Sequence, residues 1–290
     1  MKVLITGAGG QLGQELQSSA PEHIEVFALG HAELDVGSAE TVARVVKETL
    51  PEVIINTAGY TAVDRAEGDQ DAAFAVNATG ARNIANAAAL AKARLIHLST
   101  DYVFDGCSGR PYSPVDEPQP LSVYGSSKKA GEDAVIEVLG DGAVVLRTAW
   151  LYSRHGKNFV KKILQLLGEK DELAIVADEV GTPTWARGLA QAIWQMSLLD
   201  SLNGIQHWTD AGVASWYDFA IAIRDEATEQ GLVETGSSIR PVRAADNPRP
   251  ARRPAFGVLD KTATWEALET KPRHWREALR EMLTEMKSHG

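Results

Sequence analysis

The chain has 290 residues, with 29 lysines and arginines against 39 aspartates and glutamates, so its formal net charge is −10. Its apolar runs are far shorter than the ~20 residues of a membrane-spanning helix, and no signal peptide fits the N-terminus. The single cysteine, Cys107, excludes an internal disulfide or a cysteine-ligated zinc site. The acidic surplus argues against nucleic acid and membranes as partners, so we expect a cytoplasmic protein that acts on small molecules.

The first half of the chain alternates short apolar runs with longer helix-like stretches. The runs, which are typical of buried strands, cover residues 3–5, 24–29, 53–55, 95–98 and 143–146. The helix-like stretches cover residues 11–19, 38–50, 69–92 and 122–139. Short continuous apolar strands that alternate with helices indicate a parallel sheet covered on both faces. We therefore predict a doubly wound α/β (Rossmann) domain over residues 1–150.

The pattern is looser beyond residue 150. It predicts helices over residues 157–168, 185–199 and 216–230, strands over 173–176 and 204–208, and an extended loop over 240–254. We expect residues 151–290 to form mainly a second, smaller α/β lobe that binds the substrate. The chain is expected to return to the first domain around residues 173–200.

Three glycines separate the first strand from the first helix, with the spacing Gly7-x-x-Gly10-x-x-Gly13. Glycine permits a tight turn and lets backbone N–H groups approach a pyrophosphate at the positive end of the helix. Turns use glycine in any case, but the position at the first strand of a βαβ series favours dinucleotide binding over a structural turn.

The end of the second strand indicates which dinucleotide is bound. Sites that prefer NAD place a carboxylate there to bond the ribose 2′-hydroxyl, whereas this chain has Gly30 and His31. Asp35 follows a few residues on, where it faces the adenine rather than the 2′-oxygen. We therefore predict that NADPH is preferred and NADH is tolerated. For His31, a contact with the 2′-phosphate and a solvated loop position are both open.

A Tyr-x-x-x-Lys pair, Tyr124 and Lys128, opens the helix predicted after the fourth strand. Residues four apart share a helix face, so the lysine cation is expected to lower the tyrosine pKa from about 10 toward the working range. Thr100 stands at the carboxyl end of the fourth strand, the edge where such sheets bind ligands. Its hydroxyl and Tyr124 can share one carbonyl oxygen. Threonine, tyrosine and lysine in this order resemble the extended branch of the short-chain dehydrogenase/reductase superfamily.

Longer segments resemble the dTDP-4-dehydrorhamnose reductase family. They cover residues 10–16, 56–67, 100–106, 147–152, 181–184, 252–254 and 259–260. The resemblance implies reduction of the C4 ketone of dTDP-6-deoxy-L-lyxo-4-hexulose to dTDP-L-rhamnose, the last step in making this precursor of cell-surface polysaccharide. It also implies that Tyr124 protonates the C4 oxygen, Lys128 holds the nicotinamide ribose, and Thr100 orients the carbonyl.

The remaining candidate contacts fall into two groups. The candidate cofactor contacts are Gly7, Gly10, Gln11, Leu12, Gly13, Gly30, His31, Asp35, Val36, Ala58, Gly59, Tyr60, Leu98, Tyr124 and Lys128. The candidate substrate contacts are Thr100, Asp101, Trp150, Asn158 and Arg253. Each residue of the substrate group also has a structural explanation that remains open. Trp150 can pack in the core and Asp101 can cap a turn. Asn158 can serve loop structure, and Arg253 can belong to a solvated basic loop. Arg253 belongs to an arginine-rich segment in which a bidentate side chain can hold the substrate pyrophosphate.

Other activities and cofactors are weighed against this hypothesis. A dehydratase needs a second acid directly after Asp101, where Tyr102 stands. Another nucleotide-sugar epimerase or reductase and a non-catalytic NADP-binding regulatory subunit remain as alternatives, and the protein is expected to be a monomer or a homodimer. No metal is predicted, because the seven histidines show no paired ligand spacing. Some relatives bind Mg²⁺ between subunits through acidic side chains, and Glu15 lies in the corresponding segment, where an exposed helix glutamate is the simpler interpretation.

Overall fold

A six-stranded parallel sheet forms the centre of the fold. The computed structural model describes residues 1–234, 236–271 and 273–289. Its strands are β1 (Lys2–Thr6), β2 (Glu25–Leu29), β3 (Val53–Asn56), β4 (Arg94–Thr100), β5 (Ala143–Thr148), β6 (Leu151–Tyr152), β7 (Glu172–Val176), β8 (Val180–Gly181), β9 (Thr184–Trp185), β10 (Gly204–His207), β11 (Ala214–Ser215) and β12 (Ser238–Val242). The main sheet has the order β10-β5-β4-β3-β1-β2. The order reverses between β1 and β3, and sheets of this type bind ligands beyond the carboxyl ends of the strands at that point.

In the first half of the chain, helices connect the successive strands β1 to β5 of the main sheet. The helices are α1 (Gln11–Ser18), α2 (Ala39–Thr49), α3 (Val63–Ala66), α4 (Gln70–Phe74), α5 (Gly80–Ala91), α6 (Val123–Leu139), α7 (Phe159–Glu169), α8 (Ala186–Ser197), α9 (Trp216–Glu229), α10 (Thr262–Ala267) and α11 (Trp275–His289). Among the described residues, none of these helices combines the length and the apolar character that a membrane crossing requires.

Helices cover both faces of the main sheet because successive strand residues point to opposite sides. In β1, Val3 and Ile5 pack in one core with residues of α1 and α8, whereas Leu4 packs in another with residues of α2 and α5. All three side chains are fully buried. The predicted doubly wound α/β fold is confirmed.

A separate apolar core lies beyond residue 150. Residues of α7, α9 and α11 form it together with the parallel pair β7 and β12. The loop predicted over residues 240–254 is wrong at its start, since residues 240–242 belong to β12. Arg240 and Pro241 interrupt the apolar pattern there. In the range 173–200, β7 stays with this second core, while α8 packs on α1 and the following β10 pairs with β5.

The stretch predicted as one helix over residues 69–92 is interrupted. A π-helical turn, Ala75–Thr79, separates α4 from α5. Asn77 lies in this turn and is buried, and its side-chain amide pairs with both backbone groups of Tyr60, in the loop after β3. The long alanine-rich pattern conceals this break because a single inserted residue per turn leaves the apolar spacing almost unchanged.

Candidate active site

The glycine loop after β1 lies against the loop after β3. Gly7 has a φ of 69°, and a Cβ there would lie 2.7 Å from the nitrogen of Ala58. A Cβ on Gly13 would lie 2.5 Å from the carbonyl oxygen of Gly7. Only glycine fits both positions. Helix α1 begins at Gln11, and its N-cap, Gly10, offers no side chain to the first-turn N–H groups, which therefore remain for an anion.

Asn158 holds the start of α1 from the second lobe. Its side-chain nitrogen donates to Gln11 Oε1 at 2.9 Å and to the carbonyl of Ser153 at 2.6 Å. Its Oδ1 caps α7 by accepting from the N–H of Lys161 at 3.1 Å. Both ends of the Asn158 amide, a candidate substrate contact, are thus engaged within the protein.

The end of β2 carries a carboxylate that the sequence pattern did not place there. Glu33 Oε2 accepts from the Gly30 N–H at 2.9 Å. His31 is 84% exposed, and its Nδ1 lies 3.9 Å from Asp35 Oδ1, which itself accepts from the N–H of Gly37. The adenosine end of the candidate cofactor site is therefore acidic. In the sequence, the feature associated with this carboxylate is Glu33 three residues after Gly30, in the turn that follows β2.

Hydrogen bonds of the Asn77 side chain fix the loop after β3. Asn77 Oδ1 accepts from the Tyr60 N–H at 2.8 Å, and Nδ2 donates to the Ser127 hydroxyl on α6 at 2.9 Å. A Cβ on Gly59 would lie 3.3 Å from Asn77 Oδ1, a close contact that glycine avoids. The candidate nicotinamide-side loop and the helix that carries Tyr124 are thus joined through one buried amide.

Thr100, Tyr124 and Lys128 converge at the carboxyl end of β4. Ser122 caps α6 by accepting from the Gly125 N–H at 3.1 Å, which starts the helix beside that edge. Lys128 Nζ donates to the Leu98 carbonyl at 2.5 Å. The Tyr124 hydroxyl lies close enough to the Thr100 side chain for Thr100 to affect its pKa. The structure brings these side chains together as the sequence pattern predicts.

Burial controls the protonation of this group. It raises the pKa of Tyr124 to about 12, although the Thr100 side chain opposes the shift. It lowers the pKa of Lys128 to about 8, although the charge of Glu132 opposes that shift. The net shift of the Tyr124 pKa is therefore opposite to the expected one, because desolvation by burial outweighs any effect of the lysine, whose ammonium is directed at the Leu98 carbonyl. Tyr124 is therefore fully protonated at neutral pH and able to donate its proton.

Asp101 lies behind Thr100 and is almost completely buried. Its Oδ1 accepts from the Thr100 hydroxyl at 3.0 Å, and burial raises the pKa of the carboxyl to about 7. A Cβ on Gly257 would lie 2.6 Å from Asp101 Oδ2, so only glycine lets the segment around residue 257 approach this closely. The second lobe thus closes directly over the end of β4.

The arginine-rich segment is largely neutralised by carboxylates. Arg253 makes a bidentate pair with Asp64, with N–O distances of 3.0 and 2.8 Å. The other ion pairs are Arg240 with Glu172, Arg243 with Asp246 and Arg249 with Glu179. The positive charge of these four arginines is therefore compensated. Asp64, Glu172 and Glu179 are distant in sequence from their arginines, whereas Asp246 is three residues from Arg243. Arg252 is exposed.

Trp150 lies between an aromatic ring and a glycine. Its φ of 47° places a bulky residue in the left-handed region, a strained conformation typical of functional sites. Its ring stacks on Trp216 with centroids 3.5 Å apart and an angle of 7°. A Cβ on Gly181 would lie 2.7 Å from Trp150 Nε1. The indole is thus held rigidly, and Trp216 is a second aromatic residue of the site that the sequence pattern missed.

The buried Glu15 already has a cationic partner. Its carboxylate accepts from the Ser153 hydroxyl at 2.6 Å and from Arg187 Nε at 3.3 Å, and Arg187 also pairs with Glu285. Glu15 is fully buried, so the expectation of an exposed helix glutamate is wrong. Residues 1–234, 236–271 and 273–289 contain no group of three or more His, Cys, Asp or Glu side chains arranged to hold a metal. The Glu15 carboxylate is thus held by Ser153 and Arg187 within the chain.

Comparison with known proteins extends the resemblance to the whole chain. The model of the family described as RmlD substrate binding domain matches residues 1–288. A dTDP-4-dehydrorhamnose reductase of Aggregatibacter actinomycetemcomitans is 40% identical over 286 residues, which cover 96% of this chain and 97% of that protein. The chain belongs to the dTDP-4-dehydrorhamnose reductase family. The resemblance stated from sequence motifs is thereby confirmed.

Two further relatives bear on cofactor and substrate. The crystal structure of a dTDP-4-dehydrorhamnose reductase from Bacillus anthracis in complex with NADP has a TM-score of 0.91 and 35% identity, and it covers 98% of this chain and 99% of that one. A protein of Streptomyces niveus named dTDP-4-keto-6-deoxy-D-glucose reductase is 39% identical over 277 residues, covering 95% of this chain and 94% of that protein. The family therefore includes reductases named for different 4-keto sugars.

Proposed function

We propose that the chain reduces the C4 ketone of dTDP-4-dehydro-6-deoxy-L-mannose to dTDP-L-rhamnose with NADPH. The observation that carries the proposal is the convergence of Thr100, Tyr124 and Lys128 at the carboxyl end of β4. This group lies two strands from the glycine loop, beside the point where the strand order reverses. A proton donor, a hydroxyl and a cation are thus placed where a bound nucleotide and a carbonyl can meet.

Each residue of the site has a separate role in the reduction. Bound NADPH supplies the hydride that adds to C4. The Tyr124 phenol donates its proton to the C4 oxygen, which turns the ketone into an alcohol and leaves a phenolate. In the free protein the Thr100 hydroxyl donates to Asp101; with substrate bound, it turns to donate its proton to the C4 oxygen and so orients the carbonyl. Lys128 binds the nicotinamide ribose, and its positive charge stabilises the phenolate.

The cofactor site extends along the carboxyl edge of the sheet. We assign the pyrophosphate to the N–H groups of Gln11 and Leu12 at the start of α1, the adenine to Asp35 and Val36, and the nicotinamide half to residues 58–60. We retain NADPH as the preferred cofactor, which the NADP complex of the Bacillus anthracis relative supports, although the Glu33 carboxylate at the end of β2 weakens the discrimination against NADH. NADH is tolerated because the Glu33 carboxylate, held on the Gly30 N–H, offers an acceptor for a ribose 2′-hydroxyl.

The substrate is assigned to the cleft between the lobes. Asp101 and Trp150 contact the sugar, and Arg253 reaches the pyrophosphate by exchanging Asp64 for a phosphate oxygen, since both are bidentate partners. Asn158 supports the site by holding Gln11. All of these residues come from one chain, so a monomer or a homodimer serves equally. We place the reaction in the cytoplasm, with polysaccharide synthesis as its purpose.

A spectroscopic assay tests the proposal. NADPH absorbance is followed with dTDP-4-keto-6-deoxyglucose, with and without the 3,5-epimerase that converts it to the proposed substrate. We expect oxidation only when the epimerase is present. Oxidation without the epimerase supports the second candidate, a dTDP-4-keto-6-deoxy-D-glucose reductase, which the Streptomyces niveus relative favours. If no dTDP-4-keto sugar is reduced, the protein is not a reductase of this class, and a regulatory NADP-binding role replaces the proposal.

The role of Tyr124 is tested separately. Y124F is expected to lower kcat by a factor of about 10²–10⁴, as for loss of a general acid, with little effect on NADPH affinity. Y102F is the matched control, because the Tyr102 ring packs edge-on against Tyr124 at 5.4 Å while its hydroxyl has no assigned role. Full activity in Y124F would remove Tyr124 from the mechanism.

A further inference from the structure

Helix α6 meets strand β4 at three successive turns. Tyr124, Lys128 and Glu132 follow one another at intervals of four residues and therefore share one helix face. Tyr124 lies beside Thr100, and Lys128 contacts the Leu98 carbonyl. Glu132 lies one turn beyond Lys128, and the proposed reaction does not use it.

Glu132 is a fully buried carboxylate in a buried ion pair. Its Oε1 accepts from the Ser99 hydroxyl at 2.5 Å and from Arg147 Nε at 2.8 Å, and its Oε2 accepts from Arg147 Nη2 at 2.7 Å. Glu132 and Arg147 are both 0% exposed. A buried ion pair is weak evidence for stability, because apolar residues of similar volume often serve as well. A task that needs the charge itself explains the pair better.

Arg147 is fixed on its other side, so the pair stays intact. Its guanidinium carbon lies 5.0 Å from the centre of the Phe104 ring, and Nη1 lies 3.5 Å from His207 Nε2. Burial and the guanidinium lower the pKa of His207 to about 3, so this ring is neutral and accepts from Arg147. His207 Nδ1 then donates to the Asp260 carbonyl at 3.1 Å. With this support the Glu132 carboxylate is held on the face of α6 that carries Lys128.

Glu132 is the charged group near Lys128 that favours the protonated form of the lysine. Among the described residues, the titratable groups that interact electrostatically with Lys128 are Glu132 on α6 and His97 on β4, and Tyr124 lies one turn before it on the same face of α6. Tyr124 is protonated and neutral. Burial and the nearby lysine hold the pKa of His97 well below its usual value, so that ring is neutral as well. Glu132 is therefore the group whose charge favours the protonated lysine.

We propose that Glu132 is a positioning residue for the reduction, because its carboxylate, shared with Arg147 and Ser99, keeps Lys128 protonated and holds its helix turn against β4. The assignment rests on the proposed reductase function. Without the carboxylate, the buried lysine loses its proton at lower pH, and with it the charge that binds the ribose and stabilises the phenolate. Arg147 shares the carboxylate and so moderates this effect.

The pH profile of kcat tests the proposal. E132Q keeps the size of the side chain and removes the charge, so the alkaline limb of the profile is expected to move down by about one pH unit. E132D restores the charge and is expected to return the limb most of the way. The pH dependence of NADPH affinity, measured by nicotinamide fluorescence, should show the same shift. This second readout decides the proposal even if no dTDP-4-keto sugar is reduced.

Two further variants separate charge from structure. S99A removes one hydrogen bond to Glu132 and keeps its charge, so it should lower the free energy of unfolding and leave the limb in place. If E132Q does not fold because Arg147 is unpaired, E132Q/R147Q removes both charges. It should still move the alkaline limb down, but by less than E132Q, because the opposing charge of Arg147 is lost as well. A limb that stays in place in the charge-removing variants, or that moves equally in S99A, would overturn the proposal.

Discussion

Replacing Asp101 by asparagine is expected to stabilise the protein at alkaline pH and to lower its activity. Burial raises the pKa of Asp101 from 3.8 to about 7. Because the folded protein binds this proton more tightly than the unfolded chain, stability falls as the pH rises through the window between these two values. The protein thus retains a destabilising carboxylate behind Thr100, as expected where a site needs the group for function.

The size of the effect follows from the pKa shift. Within the window, each pH unit changes the free energy of unfolding by about 1.4 kcal/mol. Between about pH 5 and about pH 8.5, roughly two such units are crossed, so Asp101 costs the protein about 3 kcal/mol. D101N does not titrate, so its stability relative to the parent should increase by that amount over the same range.

Urea unfolding at the two pH values measures this difference, and kcat is measured in parallel. D210N is the matched control, because burial also raises the pKa of Asp210 to about 7, while its carboxylate accepts from the Trp185 N–H and not from a catalytic group. The stability of both variants relative to the parent should increase as the pH rises, and only D101N should have a lower kcat. A stability difference between D101N and the parent that is the same at both pH values would refute the reasoning.

Two further predictions concern the cofactor. G7A should weaken NADPH binding by about tenfold or more, equivalent to about 1.4 kcal/mol, because the added Cβ would clash with the Ala58 nitrogen at a left-handed backbone position. Fluorescence titration with NADPH measures this affinity. G142A is the control, because a Cβ at Gly142 contacts nothing within 4 Å. E33Q removes the carboxylate at the end of β2, so the ratio of kcat/KM for NADPH to kcat/KM for NADH should rise by about two- to fivefold. This factor corresponds to the free energy of one exposed charge interaction. An unchanged ratio would show that Glu33 does not contribute to the preference.

Local sequence patterns were sufficient for the central sheet and its edge. Strands β1 to β5 of the main sheet contain short apolar runs, whereas the edge strand β10 (Gly-Ile-Gln-His) does not. Residues at the carboxyl ends meet because all six strands are parallel. For this reason Thr100, Tyr124 and Lys128, together with the glycine loop, could be placed from the sequence. Spacing also identified the shared helix face of Tyr124 and Lys128.

Features that depend on distant partners could not be placed in this way. Arg253 is paired with Asp64, 189 residues away, so counting arginines along the chain overstated the local charge. Trp150 was found from its motif, but its stacking partner Trp216 lies in the other lobe. The direction of the Tyr124 pKa shift depends on burial, which spacing does not measure.

Transfer of deuterium tests the central claim most directly. The protein is incubated with NADPH deuterated at both C4 positions of the nicotinamide and with the epimerised dTDP-4-keto sugar, and the product is analysed by NMR. The account predicts dTDP-L-rhamnose with one deuterium, bound to C4 of the sugar. A product without deuterium at C4, or with deuterium at another carbon, would contradict it.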